Sequence, residues 1–236
     1  MDGGLFQVRY SLSCLIFSYM QHETLTAAQP AYLRVISKII SYIFHPLFIP
    51  TFIFLWLVLR FPFEFADMTP MGLFFRKITV FWMTAFFPAF SVFLLWRLNF
   101  IDSIFLKTQK ERIIPYVITM IFYWWMWYLS RNFADQPFAL RFFFLGIFFS
   151  TILGMMLNNF FKISMHTMGV GGAIIFIVLT CFYYQTYLGA DISLIFLITG
   201  LVCTARFVAS DHTNMDIYSG IMVGALCQLI AFWISA

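Results

Sequence analysis

The chain has 236 residues, of which 62% are hydrophobic, 22% aromatic and 10% charged, and its mean hydropathy is +0.89. A soluble domain carries about 25% charged residues, so a water-soluble fold is excluded and a polytopic membrane protein is expected. The net charge of +4 is spread over loops without a dense Lys/Arg block, which argues against nucleic acid as a partner and suits a protein beside anionic lipid.

Residues 5–20 are apolar but short, and Arg9 interrupts them. They fit an interfacial helix or a leader with a weak cleavage site at Thr26-Ala27-Ala28, with an additional span as the alternative. Residues 1–35 are accordingly an N-terminal interfacial or leader segment, and 36–236 a single transmembrane helical domain. Seven stretches have the length and apolarity of spans, roughly 36–60, 74–98, 113–131, 138–161, 166–187, 190–209 and 216–235. The expected fold class is all-α, a polytopic transmembrane helix bundle of six to seven spans.

Pro46 and Pro50 fall in the first span and Pro88 in the second, each removing a helix hydrogen bond and predicting a kink. His45, just before Pro46, is either a satisfied core histidine or a functional intramembrane polar group. Tyr123, Trp124, Trp125, Trp127 and Tyr128, with Tyr183, Tyr184 and Tyr187, fit an interfacial aromatic belt better than a stacking site. Gly169, Gly171 and Gly172 in the fifth span and Gly220 and Gly224 in the seventh give small faces for close helix contact. The four cysteines, Cys14, Cys181, Cys203 and Cys227, lie in apolar runs without metal-type spacing and read as small buried hydrophobes.

Span parity gathers the polar residues. Two spans separate the loop at 107–115 from that at 162–166, and two more separate the latter from 206–216, so all three emerge on one membrane face. In the last, Arg206-x5-His212-x3-Asp216, a helical spacing places His212 and Asp216 on one side, where the carboxylate accepts one imidazole N–H and leaves the other nitrogen to attack. The Arg206 fork suits the oxygens of a phosphoryl group. The competing reading is an interfacial loop that is merely polar. The first loop carries Lys107, Lys110 and Arg112 before Pro115, which suits a first helical turn; it is either a basic membrane anchor or a phosphate-binding approach. The second, Lys162-Ile-Ser164-Met-His166, opens a helix whose N-terminus favours an anion, with His166 either a proton donor or an interfacial cap. No carboxylate cluster suggests a metal site. The parts present serve metal-free phosphoryl transfer without a cofactor.

In these blocks the chain resembles the type-2 phosphatidic acid phosphatase superfamily of integral-membrane lipid phosphate phosphatases, marked by Lys-x6-Arg-Pro, Pro-Ser-Gly-His and Ser-Arg-x5-His-x3-Asp. The third block matches at Arg206, His212 and Asp216, with Ala205 for the Ser. The second keeps Ser164 and His166 but has Ile163 and Met165 for the Pro and Gly. The first keeps Lys107 and Pro115 at the family's separation, while the Arg expected at Ile114 stands instead at Arg112, with Lys110 in reserve. The resemblance covers residues 107–216. It implies a phosphohistidine mechanism in which His212 attacks phosphorus, Asp216 orients it, His166 protonates the leaving lipid alcohol, and Lys107, Arg112, Ser164 and Arg206 hold the oxygens.

The expected activity is hydrolysis of a lipid monophosphate or polyprenyl diphosphate, the partners being that lipid and the bilayer. Phosphotransfer to another acceptor, or inactive lipid-phosphate binding or transport, are the alternatives. Nothing in the sequence sets an oligomeric state. Lys and Arg number nine on the site's face and five opposite, which favours a cytoplasmic site, yet the count evens out once the proposed phosphate ligands are set aside. The resemblance implies a cell (inner) membrane protein with its site on the outer, periplasmic face.

Overall fold

In the computed structural model, which describes residues 30–104, 106, 108–133, 136–209 and 212–236, the apolar runs form an all-α bundle. The expectations for residues 5–20, for Cys14 and for Lys107 lie outside the described residues. Among the described residues eight helices follow in order: α1 (Ala31–Ile43), α2 (Ile49–Arg60), α3 (Pro70–Arg97), α4 (Gln109–Asn132), α5 (Phe138–Leu157), α6 (Met165–Tyr183), α7 (Gly189–Ala209) and α8 (Asn214–Ser235). Six of them, α3 to α8, are long and apolar enough to cross a membrane. The protein is therefore a multi-pass membrane protein, its backbone groups satisfied within helices as a hydrocarbon phase requires.

The helix starts are written locally. Thr69 accepts the Gly72 N–H at 3.1 Å ahead of Pro70, and Thr108 with Glu111 and Thr213 with Asp216 form capping boxes at α4 and α8. α3 runs through Pro88 without a break, and a π-turn over Trp82–Phe86 precedes it, shifting the hydrogen-bond ladder where the proline has no donor.

The expected first span at 36–60 does not form as one helix. It breaks between Ile43 and Ile49, because Pro46 has no N–H to give and bars His45 from helical backbone angles. At about 18 Å, a 12-residue α2 is shorter than the roughly 30 Å hydrocarbon layer. α1 packs instead along α7, burying Ser37 and Ser41 and exposing Tyr32, Val35, Ile36 and Tyr42. Since α1 begins at Ala31, the boundary expected at residue 35 falls inside a helix.

The centre of the bundle is the α6–α8 pair, flanked by α5. Phe142, Phe143 and Phe176 fill the middle of the core, fully buried. The glycine faces expected from sequence meet one another: a Cβ on Gly171 would lie 2.5 Å from the Ile221 carbonyl oxygen, and one on Gly224 would fall on that of Met168. This backbone-to-backbone seam, which no larger residue allows, holds the N-terminal ends of α6 and α8 side by side. Of the expected aromatic belt, Trp124, Trp125, Tyr128, Tyr183 and Tyr187 are exposed, but Tyr123 is buried within the bundle.

Candidate active site

Three loops meet at the end of the bundle where α4, α6 and α8 begin and α7 ends. α4 starts at Gln109, so Pro115 lies inside the helix rather than in its first turn. That earlier start turns Arg112 inward, to 8% exposure, while Ile114, the position reserved for Arg in the resembled pattern, is 42% exposed. Arg112 thus faces into the bundle from this helix and Ile114 away from it. Its Nε donates to the Leu106 carbonyl at 3.1 Å and its Nη1 to the Ile163 carbonyl at 3.2 Å, strapping the first loop to the second. Lys110 is exposed in the same turn.

Ser164 precedes α6 and is fully buried. Its backbone N–H donates to the Asp216 carbonyl at 3.1 Å, tying the second loop to the third, and its own carbonyl accepts from the Met168 N–H at 3.1 Å. The hydroxyl has no hydrogen-bond partner among the described residues. A buried donor left unmade costs about 1–3 kcal/mol, so this is an atom for which a ligand oxygen would be favourable.

His212 is 5% exposed, and its Nδ1 lies 3.0 Å from the Lys162 carbonyl oxygen. A carbonyl only accepts, so Nδ1 carries the proton and Nε2 the lone pair. Asp216 Oδ2 stands 3.6 Å from the same Nδ1 and accepts the Thr213 N–H at 2.8 Å. The carbonyl is therefore the shorter partner on Nδ1, and the carboxylate adds charge behind it. Burial holds the His212 imidazole below its ordinary range; the Asp216 side chain pulls it back up, while Arg206 and Arg112 push it down. Burial thus favours the neutral ring, the form in which an imidazole can act as a nucleophile.

His166, second residue of α6, is held in the mirror sense. Its Nε2 lies 3.1 Å from the Ser41 carbonyl oxygen near the end of α1, so Nε2 is protonated and Nδ1 is the open edge. Arg206 reaches the Ser41 hydroxyl with Nη1 at 3.5 Å, and its charge acts on His45, His166 and His212 together. Among the described residues no group of three or more His, Cys, Asp or Glu side chains converges as a metal-ligand set.

Two contributors escaped the sequence reading of this end. Ser41 supplies the carbonyl for His166, and only the break at Pro46, together with Ser37 and Ser41 one turn apart, signals that α1 turns over the site. Tyr116, one turn after Arg112, is 1% exposed, and its hydroxyl has no partner among the described residues. It lines a cavity of about 360 Å³ that extends from His45 down between α2, α3, α4, α5 and α6, walled mainly by apolar side chains such as Ile49, Val92, Ile147 and Met168.

No family model, curated protein or solved structure matches this chain.

Proposed function

We propose that the chain is a membrane-embedded lipid phosphate phosphatase of the type-2 phosphatidic acid phosphatase kind, acting on a lipid monophosphate or polyprenyl diphosphate through a phosphohistidine. The observation that carries this reading is the pairing of the two imidazoles. Each has one nitrogen committed to a main-chain carbonyl, His212 to Lys162 and His166 to Ser41, at the same end as Arg112, Arg206 and the unpartnered Ser164 hydroxyl. The apolar cavity beside them supports a lipid rather than a water-soluble ester as substrate.

In the reaction so proposed, the His212 Nε2 lone pair forms a bond to phosphorus as the P–O bond to the lipid breaks. A lipid phosphate that arrives as its monoanion gives its proton to the open Nδ1 of the neutral His166, and the leaving alkoxide takes that proton as it departs. Arg206, the remaining donors of Arg112 and the Ser164 hydroxyl take up the phosphoryl oxygens. Water then attacks the phosphohistidine while His166 accepts a proton from it, releasing phosphate and restoring both rings. The lysine at position 107 keeps its proposed place among the phosphate ligands, with Lys110 in reserve.

The test is phosphate release from a detergent-solubilised lipid phosphate. His212→Ala and His166→Ala each lower it by about 10³-fold or more, with expression unchanged. Full release by both variants overturns the reading. Binding without turnover by the unaltered protein supports a lipid-phosphate carrier instead, a role that Arg112's commitment to two carbonyls would also suit. Periplasmic placement of the site in the cell membrane is part of the proposal, and labelling of a cysteine introduced at Gln109 from the outer side checks it.

A further inference from the structure

The break between α1 and α2 brings a third imidazole to the site. His45 and His166 stand edge to face, ring centroids 5.3 Å apart and planes at 79°. The Phe48 ring also lies edge to face with His45, at 6.2 Å between centroids, and Gly169 of α6 makes room for the start of α2, where the Ile49 Cδ1 is 2.6 Å from the place its Cβ would take. His45 also lines the apolar cavity, together with Pro46 and Leu47 of its own turn.

The chemistry of this ring is set by its own turn. The Leu47 N–H donates to His45 Nδ1 at 3.3 Å, so Nδ1 is the acceptor and the proton of the neutral ring sits on Nε2. His45 is thus a neutral donor in electrostatic reach of the Arg206 cation. A uniform row of arginines would bind any anion; a neutral donor in the wall of an apolar cavity instead suits an oxygen at the junction of headgroup and tail.

We propose that His45 is a substrate-binding group of this site, donating its Nε2–H to a phosphoryl oxygen of a lipid phosphate whose apolar chain lies in the cavity. The proposal rests on the phosphatase reading for its kinetics but not for its binding. The turn at residues 44–48 then does two things at once. It halts the helix where a side chain can face both His166 and the cavity, and it presents the Ser41 carbonyl to His166.

Two substitutions separate binding from packing. His45→Phe keeps a ring against His166 and deletes the donor, whereas His45→Gln places an amide N–H close to the position of Nε2. With a lipid phosphate as substrate, His45→Phe raises KM about 10- to 100-fold with little change in kcat, and His45→Gln stays within about threefold of the original, the size expected for one hydrogen bond to a charged oxygen. A loss confined to kcat in both variants would mean that His45 merely steadies His166, and would overturn the proposal, as would a His45→Phe protein with unaltered KM. A second measurement stands apart from turnover. In full-length protein with ¹⁵N-labelled imidazoles, hexadecylphosphonate shifts the His45 Nε2 resonance, assigned through His45→Gln. If the signals of His166 or His212 move and that of His45 does not, the proposal fails while the phosphate site stands. Movement of His45 in a protein that releases no phosphate sustains the proposal and discards the phosphatase.

Discussion

Where α2 ends against the start of α7, Arg60 reaches Asp191 with Nε at 3.1 Å and Nη2 at 2.8 Å, and Phe61 lies on Tyr184 with centroids 4.7 Å apart. At the other end of the bundle Arg112, His166 and His212 bond to main-chain carbonyls of Leu106, Ile163, Ser41 and Lys162. The first arrangement pairs one side-chain charge with another, so each is neutralised by its partner and neither is left to act elsewhere. In the second, the backbone holds one edge of each ring and leaves the other edge, the one that can carry a lone pair or deliver a proton, without a hydrogen bond among the described residues. Carbonyl-held imidazoles are poised; a side-chain ion pair is spent.

The largest effect comes from breaking the seam on which the poised end depends. Gly224→Val would drive a side chain into the Met168 carbonyl and the Gly172 N–H of α6, and since neither is a flexible side-chain tip, the helices must separate. A destabilisation of about 3 kcal/mol or more follows, read as a lower midpoint for thermal unfolding in detergent and loss of purified protein. Gly200→Ala is the contrast, since a Cβ there meets nothing within 4 Å, and its stability should be unchanged or higher by up to about 1 kcal/mol, so that the midpoint does not fall. Equal tolerance of both would show that the seam does not bear on the site.

Much of this end was legible in the sequence because its signals are local. Arg206, His212 and Asp216 announce themselves by spacing, span parity places three loops on one face, and the hydrogen bonds from His212 to Lys162 and from Arg112 to Ile163 join those loops. Gly171, Gly220 and Gly224 reveal a close helix contact before any partner is known. What hid was long-range. The prolines at 46 and 50 predict a disturbed helix, but not that the chain before Pro46 leaves α2 and lies on α7, because that depends on Ser37 and Ser41 fitting a helix 165 residues away in sequence at the Ser41–Arg206 contact. Ser41 acts through its carbonyl, an atom every residue has, and so leaves no mark in composition or spacing. Arg112 was ambiguous for a related reason: whether it faces in or out depends on where α4 starts, which the Thr108–Glu111 capping box decides.

Asp216→Asn sharpens the comparison more gently. The amide oxygen can still accept the Thr213 N–H, so the cap is retained, and the Lys162 carbonyl still fixes the His212 tautomer. Phosphate release should fall only about 10-fold, well short of the ~10⁴ that follows where a carboxylate alone fixes the tautomer. The pH profile moves in a definite sense. On the proposed reading His212 must be neutral to attack, so activity should be lost as pH falls through its folded pKa, which burial already holds below the ordinary 6.5. Asp216 is what pulls that value upward; removing its charge lowers it further, and the acid limb shifts to lower pH. A shift to higher pH would mean that the carboxylate does not act on this ring.

The smallest effect belongs to the spent end. Arg60→Gln removes a guanidinium whose side chain is 48% exposed, and a solvent-screened pair of this kind contributes roughly 0–1 kcal/mol. Asp191 is more buried, at 10%, but it sits in the first turn of α7, where unpaired N–H groups and the helix dipole continue to favour its charge. The unfolding midpoint should therefore drop slightly, and phosphate release by the opposite end should be unchanged. α2 is the element that makes this more than a formality. It runs from the turn that carries His45 to Arg60 itself, so any loss of activity in Arg60→Gln, with the fold intact, would show that the ion pair sets the height of that turn and that the two ends act as one device.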